Sequence, residues 1–405
     1  MKIRSITYFL NPNWPLDEKK LRQAGQFLAE AREAFESSGY EVQTSRLATV
    51  PFPHLLGEKK INDLPKLAGA LEAALPSTGA AYASLGPALI EAPESYAVIP
   101  EAIAATQNIF FSGEMASARK GLSLTAVHAC AEVIARCAPI TPDGFANLRF
   151  AALANVPAGA PFFPAAYHEG EQIAFALATE AADLAVEAFT QAASVDEGRN
   201  ALVHALEENA RKLTKAADFL KYKFNVRFGG IDYSLAPFPA EAQSLGTAME
   251  RLGVPTAGLH GSLAAAAILT EAIDRANFPR CGFSGLMLPV LEDSTLARRA
   301  AEGTLTIKDL LLYSAVCGTG LDTVPLPGDV PASRLTPLLL DLSALALRLD
   351  KPLTARLMPI PGKQAGDPTG FDFEFFANSK VMALESQELK AALKGSPSFD
   401  LAPKR

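Results

Sequence analysis

The chain has 405 residues, 49% of them hydrophobic, 20% charged and 8% aromatic, enough apolar material for a sizeable core in a globular protein. Its formal charge of −7, from 37 Lys and Arg against 44 Asp and Glu, comes without a run of basic residues and argues against a nucleic-acid surface. Four cysteines, Cys130, Cys137, Cys281 and Cys317, show no CxxC pair and read as reduced cytosolic thiols. The uncharged stretches Phe150 to His168 and Leu252 to Thr270 are broken by prolines and glycines that would leave backbone groups unsatisfied in lipid. The amino-terminal apolar run is too short for a signal peptide, and the expectation is a cytoplasmic protein without a membrane segment.

Short β-branched or aromatic runs alternate with alanine-rich helical ones, the trace of βα units. Ile3–Leu10 reads as a strand, Asp17–Ser38 as an amphipathic helix, Tyr40–Leu47 and Asn108–Ser112 as strands, and Leu124–Cys137 as a helix that buries Cys130 and Cys137. Strand Leu148–Asn155, loop Val156–His168 and a long helix Gln172–Ala193 follow. The polar segment Ser194–Asn200 marks the boundary between halves of about 1–195 and 200–385. Helix Ala201–Tyr222, strand Asn225–Tyr233, helices Glu241–Leu252 and Ser262–Ala276, strand Gly282–Pro289, helices Thr306–Cys317 and Ala332–Leu349, and strand Thr354–Pro359 complete the pattern. The tail 390–405, rich in Lys, Ser and Pro, reads as flexible. The whole predicts a parallel or mostly parallel sheet covered by helices.

Polar residues gather where the second-half strands end and helices begin, as sites do in α/β proteins. Asp232 and Ser234 share one face of an extended chain, set either to bind a ligand and share a proton or to cap the following turn. His260, Gly261 and Ser262 open a helix whose free N–H groups suit a phosphate or carboxylate. Glu292 and Asp293, adjacent acids that point apart on a strand, join His168 and His260 as a mixed nitrogen and oxygen set for a divalent metal, with helix capping as the alternative. Cys317 stands beside Gly318 and Gly320 in a turn carrying Thr319, Asp322 and Thr323, either an exposed nucleophile or a small buried hydrophobe. Arg356, like Arg149 and Arg227, lies on an otherwise apolar strand and with Lys363 points to an anionic small molecule, or to pairing with Asp232, Asp322 or Asp341.

The blocks DYSLAPFP, GFSGLMLPVLED, YSAVCGTGLDTVPLPGD and KPLTARLMPIPGK, in order within residues 232 to 363, with FFPAAYH upstream, resemble the uncharacterised domain-of-unknown-function 711 family, often labelled PFL family protein. Residues 1 to 145 match more loosely. The resemblance implies a fold similar to pyruvate formate-lyase and the ribonucleotide reductase large subunit: a ten-stranded α/β barrel of two five-stranded halves around a central finger loop, with Cys317 at the finger-loop cysteine. The Arg-Val-x-Gly-Tyr type motif of glycyl radical enzymes does not occur, so a self-stored glycyl radical is not expected. The resulting expectation is an enzyme acting on a small anionic metabolite at the barrel centre, with Cys317, Asp232, His260 and Glu292 as catalytic groups and Ser234, Gly261, Ser262, Asp293, Thr319, Asp322, Arg356 and His168 as ligand contacts. The alternative is an amino-acid-type sensor working with an ACT-domain protein, a partner class the resemblance suggests, and a homo-oligomer is expected from the same source.

Overall fold

The computed structural model describes residues 1–404. Strands β1 (Lys2–Leu10), β2 (Val42–Thr49), β3 (Tyr82–Ala88), β4 (Ile109–Ser117), β5 (Gly121–Ser123), β6 (Phe150–Ala154), β7 (Ala174–Glu180), β8 (Arg227–Ala236), β9 (Gly320–Pro327), β10 (Leu353–Ile360) and β11 (Ser398–Phe399) join in one mixed sheet of 11 strands. The main path runs β8-β7-β1-β2-β3-β4-β6-β10-β9, with β5 beside β4 and β11 beside β5. β1, β2, β3, β4 and β6 are mutually parallel; β7 with β8, and β9 with β10, run the other way, meeting the first set at the antiparallel β1–β7 and β6–β10 seams.

Helices cover one face of this sheet. Asp17 caps helix Glu18–Ser37 by accepting from the Lys19 and Lys20 N–H groups, and the stripe Leu21, Ala24, Phe27, Leu28, Ala31 and Phe35 is buried, the 3.6-residue period that the sequence shows. Helices Leu124–Cys137 and Ala332–Leu349 pack together, and Val195–Phe224 lies against Ala182–Gln191 and Ser262–Arg275. The large core between sheet and helices takes in both helical cysteines, Cys130 and Cys137.

The other face is filled by the loop 156–173. Thr7 Oγ1 donates to Pro161 O, the His168 N–H to Thr49 O at 2.8 Å and Ser84 Oγ to Ala166 O at 2.7 Å, so the loop crosses the inner ends of β1, β2 and β3. Its Phe162 and Phe163 anchor two apolar clusters, one with Phe283 and Met287, the other with Phe9 and Phe110. A structureless run this long is buried only when side chains and backbone bonds hold it, and long loops of this kind are usually functional.

The expected helix Gln172–Ala193 is instead strand β7 followed by helix Ala182–Gln191. Alanine favours helix, but Phe175 and Leu177 alternate into the helix-side core while Ala174, Ala176 and Ala178 face inward, where only small side chains leave room for the loop and the cavity described below. Ser194–Asn200, expected as a boundary, caps and begins the 30-residue helix Val195–Phe224, and strand direction reverses earlier, between β6 and β7. The carboxyl-terminal residues, expected to be flexible, dock through β11 on β5 and through the Lys404 N–H to Arg348 O at 2.8 Å.

Among the described residues no continuous ladder closes the sheet into a barrel. Between the edge strands β8 and β9 runs 280–291, joined to β8 by Cys281 N–H to Ile231 O at 3.2 Å and Met287 N–H to Ser234 O at 2.9 Å, and to β9 by Val290 N–H to Asp322 O at 3.1 Å. It makes only isolated parallel bridges, Ile231 with Arg280 and Pro289 with Asp322, in place of the regular strand expected over Gly282–Pro289. The interruption lies in the backbone of all three segments: Leu235, Ser284 and Thr323 are left-handed (φ +46°, +42° and +42°), which breaks extended pairing.

Candidate functional site

On the inner face, where loop 156–173 leaves the sheet uncovered, lies a cavity of about 140 Å³. Strand pleat selects its walls: Thr44 and Arg46 project from β2, and Asp232, Ser234 and Ala236 from β8, at two-residue spacing. On β1 the pairing with β7 slips between Ile3 and Ser5, and this bulge aims Arg4 inward. Tyr82, Phe110, Phe162 and Phe163 supply apolar surface, and Phe373 and Phe375 of the carboxyl-terminal segment close the remaining side.

Along the walls runs a chain of alternating charges. Asp322 Oδ1 accepts from Arg356 Nε at 2.6 Å, Arg356 Nη2 donates to Glu292 Oε1 at 2.6 Å, and the second Glu292 oxygen accepts from Arg4 Nη2. Arg4 also comes within 3.9 Å of Glu180, whose Oε2 accepts from Gln43 Nε2 at 2.6 Å. Removing one partner of so buried a pair costs about 3–5 kcal/mol, because the other charge is stranded. Burial works against the Glu292 carboxylate, but Arg4 and Arg356 outweigh it and hold the group below the usual carboxylate range. Burial pushes Asp322 up despite Arg356, and its Oδ2 has no hydrogen-bond partner.

Arg46 stands apart from this chain. Its Nε donates to Thr44 Oγ1 at 2.9 Å and its guanidinium lies over Phe163 and Tyr82, 5.1 Å and 5.9 Å from the ring centroids. Among the described residues no carboxylate pairs with it, and the surface left on its side chain faces the cavity. Burial first, then the charge of Arg4, pushes it down to about 9, so it remains a cation at neutral pH.

Asp232 presents the second reactive feature. Its Oδ2 accepts from the Phe283 N–H at 3.0 Å, and its Oδ1 accepts from the Ser284 N–H at 3.0 Å and from the Ser234 hydroxyl. Burial outweighs these bonds and raises the carboxyl above its ordinary value.

The structure thus brings Asp232, Ser234, Glu292 and Arg356 around one cavity, with Asp322 directly behind Arg356. Glu292 and Asp293 point apart, as expected of neighbours. Asp293 caps helix Ser294–Glu302 and accepts from Ser244 Oγ and the Leu245 N–H, which places it outside the cavity. Thr319 donates to Leu286 O and pins the segment 280–291. His260 and Gly261 are exposed at the outer end of helix Ser262–Arg275, and Ser262 Oγ accepts from the Gly258 N–H at 2.9 Å, so the proposed helix-start contacts do not reach the centre. His168 is buried in the loop beside Phe9, its Nε2 without a partner and its basicity lowered by burial.

Cys317 is 0% exposed in the helix-side core, and burial raises its thiol. It is a packed residue of the turn rather than an open nucleophile. Among the described residues no three His, Cys, Asp or Glu side chains come together as metal ligands. Arg149 donates to the Ile103 and Thr106 carbonyls at 2.8 and 2.7 Å, capping the end of helix Ile99–Ala105, and Arg227 is exposed at the start of β8; neither meets Arg356. Arg4, Arg46 and Tyr82 were not singled out from the sequence. An arginine on a strand is the same signal that marks Arg356, and it stands in KIRSITYF and VQTSRLAT as well.

The family model described as Uncharacterised ACR (DUF711) matches residues 1–378. The chain belongs to the DUF711 family. A UPF0210 protein of Neisseria gonorrhoeae is 29% identical over 371 residues, covering 87% of this chain and 81% of that protein. A UPF0210 protein of Pyrobaculum arsenaticum is 34% identical over 278 residues, 66% of this chain; the match spans 61% of that relative's length. A UPF0210 protein of Oenococcus oeni is 28% identical over 367 residues, 87% of this chain and 82% of the relative. The DUF711 match takes in every residue named above as lining the cavity, Phe373 and Phe375 included, and ends before β11. No helix is long and apolar enough to cross a membrane among the described residues.

Proposed function

We propose that this DUF711 protein is an enzyme acting on a small anionic metabolite in the central cavity, without a glycyl radical. The observation that carries the reading is a partly buried arginine, Arg46, that faces the cavity without a carboxylate while two neighbouring arginines, Arg4 and Arg356, are paired. A cation that is largely desolvated and has no carboxylate partner is costly, and a bound anion offsets that cost. Asp232, raised by burial and bonded to Ser234, is the acid–base group beside the bound molecule, and Ser234 relays or accepts its proton. The segment 280–291 serves as the tenth strand between β8 and β9, parallel to both, which gives the second half five strands like the first. The finger-like element of this barrel is the loop 156–173, which fills the inner face, rather than the turn at Cys317.

The test is a thermal-shift screen of amino acids, 2-oxo acids and sugar phosphates, followed by NMR of each stabilising compound incubated with catalytic amounts of protein. A ligand at 100 times its Kd adds about 2.7 kcal/mol of stability. Consumption by the wild type and not by Asp232→Asn is expected. A compound that binds and is recovered unchanged overturns catalysis and gives the sensor reading, with an ACT-domain protein as the partner to seek by pull-down.

A further inference from the structure

We infer that the molecule this cavity accepts is a flat monocarboxylate, its carboxylate paired with Arg46 and its apolar body laid against Tyr82, Phe110 and Phe163. This rests on the anion-binding reading above and narrows it to one chemical class.

Charge sets the valence. Of the three arginines at the cavity only Arg46 is unpaired, and the facing acid, Glu292, is fully engaged by Arg4 and Arg356 and kept ionised by them. One ligand charge is neutralised by Arg46. A second, as on a phosphate dianion or a dicarboxylate, would be desolvated against Glu292, beside arginines whose donors already hold Glu292 and Asp322. A planar carboxylate also matches the guanidinium fork in two parallel hydrogen bonds, a geometry that a single arginine offers without help.

The walls set the shape. Tyr82 and Phe110 meet edge to face with centroids 5.4 Å apart, as do Phe110 and Phe163, and Arg46 lies over two of these rings. The result is an aromatic wall of rings set edge to face and ending at a cation, which favours an apolar body close to its carboxylate. Size agrees: the space is about 140 Å³, and a cavity of about 150 Å³ holds one benzene ring.

Calorimetric titration of the full chain with benzoate, succinate, inorganic phosphate and benzyl alcohol tests the class. Benzoate is expected to bind one site, with benzyl alcohol, succinate and phosphate at least ~10-fold weaker, and Arg46→Gln is expected to weaken benzoate by ~10–100-fold, the loss of a charge-assisted pair. Phe163→Leu, which keeps apolar character but removes the aromatic ring, supplies a second reading should Arg46→Gln fold poorly; it is expected to weaken benzoate severalfold. Tighter binding of phosphate or succinate, lost in Arg46→Gln, overturns the monocarboxylate class and leaves the anion site standing. Benzoate binding that neither variant changes overturns the inference, and no binding of any anion overturns it together with the function proposed above.

Discussion

An arginine enclosed by protein ordinarily brings its partner with it, since an isolated cation in a medium of low dielectric is expensive. Arg356, which is buried, follows this rule with Asp322 and Glu292; Arg46, partly buried and open to the cavity, has no carboxylate partner. The consequence is a pH range over which binding is level. Groups facing Arg46 are Arg4 and Arg356, which repel it, and Tyr82 and Glu292, whose negative forms favour it, with burial the largest influence; together they bring it down to about 9. The group is a cation throughout the neutral range, so binding of benzoate is expected to hold constant from pH 7 to 8.5. Calorimetry over that range measures this, and a Kd that rises across it would assign the carboxylate contact to a group other than Arg46.

At the scale of elements, the segment 280–291 shows how backbone proximity replaces a regular ladder. Gly230, with φ +125°, lets Pro279 and Arg280 approach β8 where a Cβ would sit 2.8 Å from Pro279 O. Gly285 lies against the turn after helix Ile307–Ser314, and a Cβ there would fall 2.4 Å from the Gly318 nitrogen. Both neighbours are backbone and cannot rotate away. Gly285→Ala is therefore expected to destabilise the protein by about 1–3 kcal/mol through overpacking. It should also loosen the Met287 wall of the cavity, weakening benzoate. Urea unfolding reads the first effect, and an unchanged midpoint would show that the two segments part easily. The same element explains a limit of the sequence reading: GFSGLMLPVLED is apolar enough for a strand, and only the left-handed residues Ser284, Leu235 and Thr323, set by contacts across the three segments, stop it from being one.

For the molecule as a whole, the core on the helix side is continuous and holds Cys130, Cys137 and Cys317, each 0% exposed and each with a thiol raised by burial. Reactivity follows thiolate fraction and access, so iodoacetamide at neutral pH is expected to reach these three only through unfolding. Cys281, its thiol also raised by burial but half-buried in a groove lined by Ala158, Gly159 and Arg280, is expected to label ahead of them through access alone. Mass spectrometry of the alkylated native protein gives the order. Selective labelling of Cys317 would reveal an opening of its turn and restore a thiol chemistry that the closed structure does not offer.

What the sequence determined by itself is what local periodicity carries. Helices Glu18–Ser37, Leu124–Cys137, Ser262–Arg275 and Ala332–Leu349, strands β1 and β10, and the pairing of Asp232 with Ser234 on one face were all legible, because a 3.6- or two-residue pattern needs no knowledge of the partner. So was the family, through its four ordered blocks. The tertiary structure alone decided that the alanines of β7 belong to a strand, because their small size serves the loop packed across them. It also decided that Cys317 and His260 lie away from the cavity, and that the pairing of Arg4, Arg46 and Arg356 leaves one of them free. Charge balance in a buried site is a sum over residues up to 352 positions apart, from Arg4 to Arg356, and no window along the chain contains it.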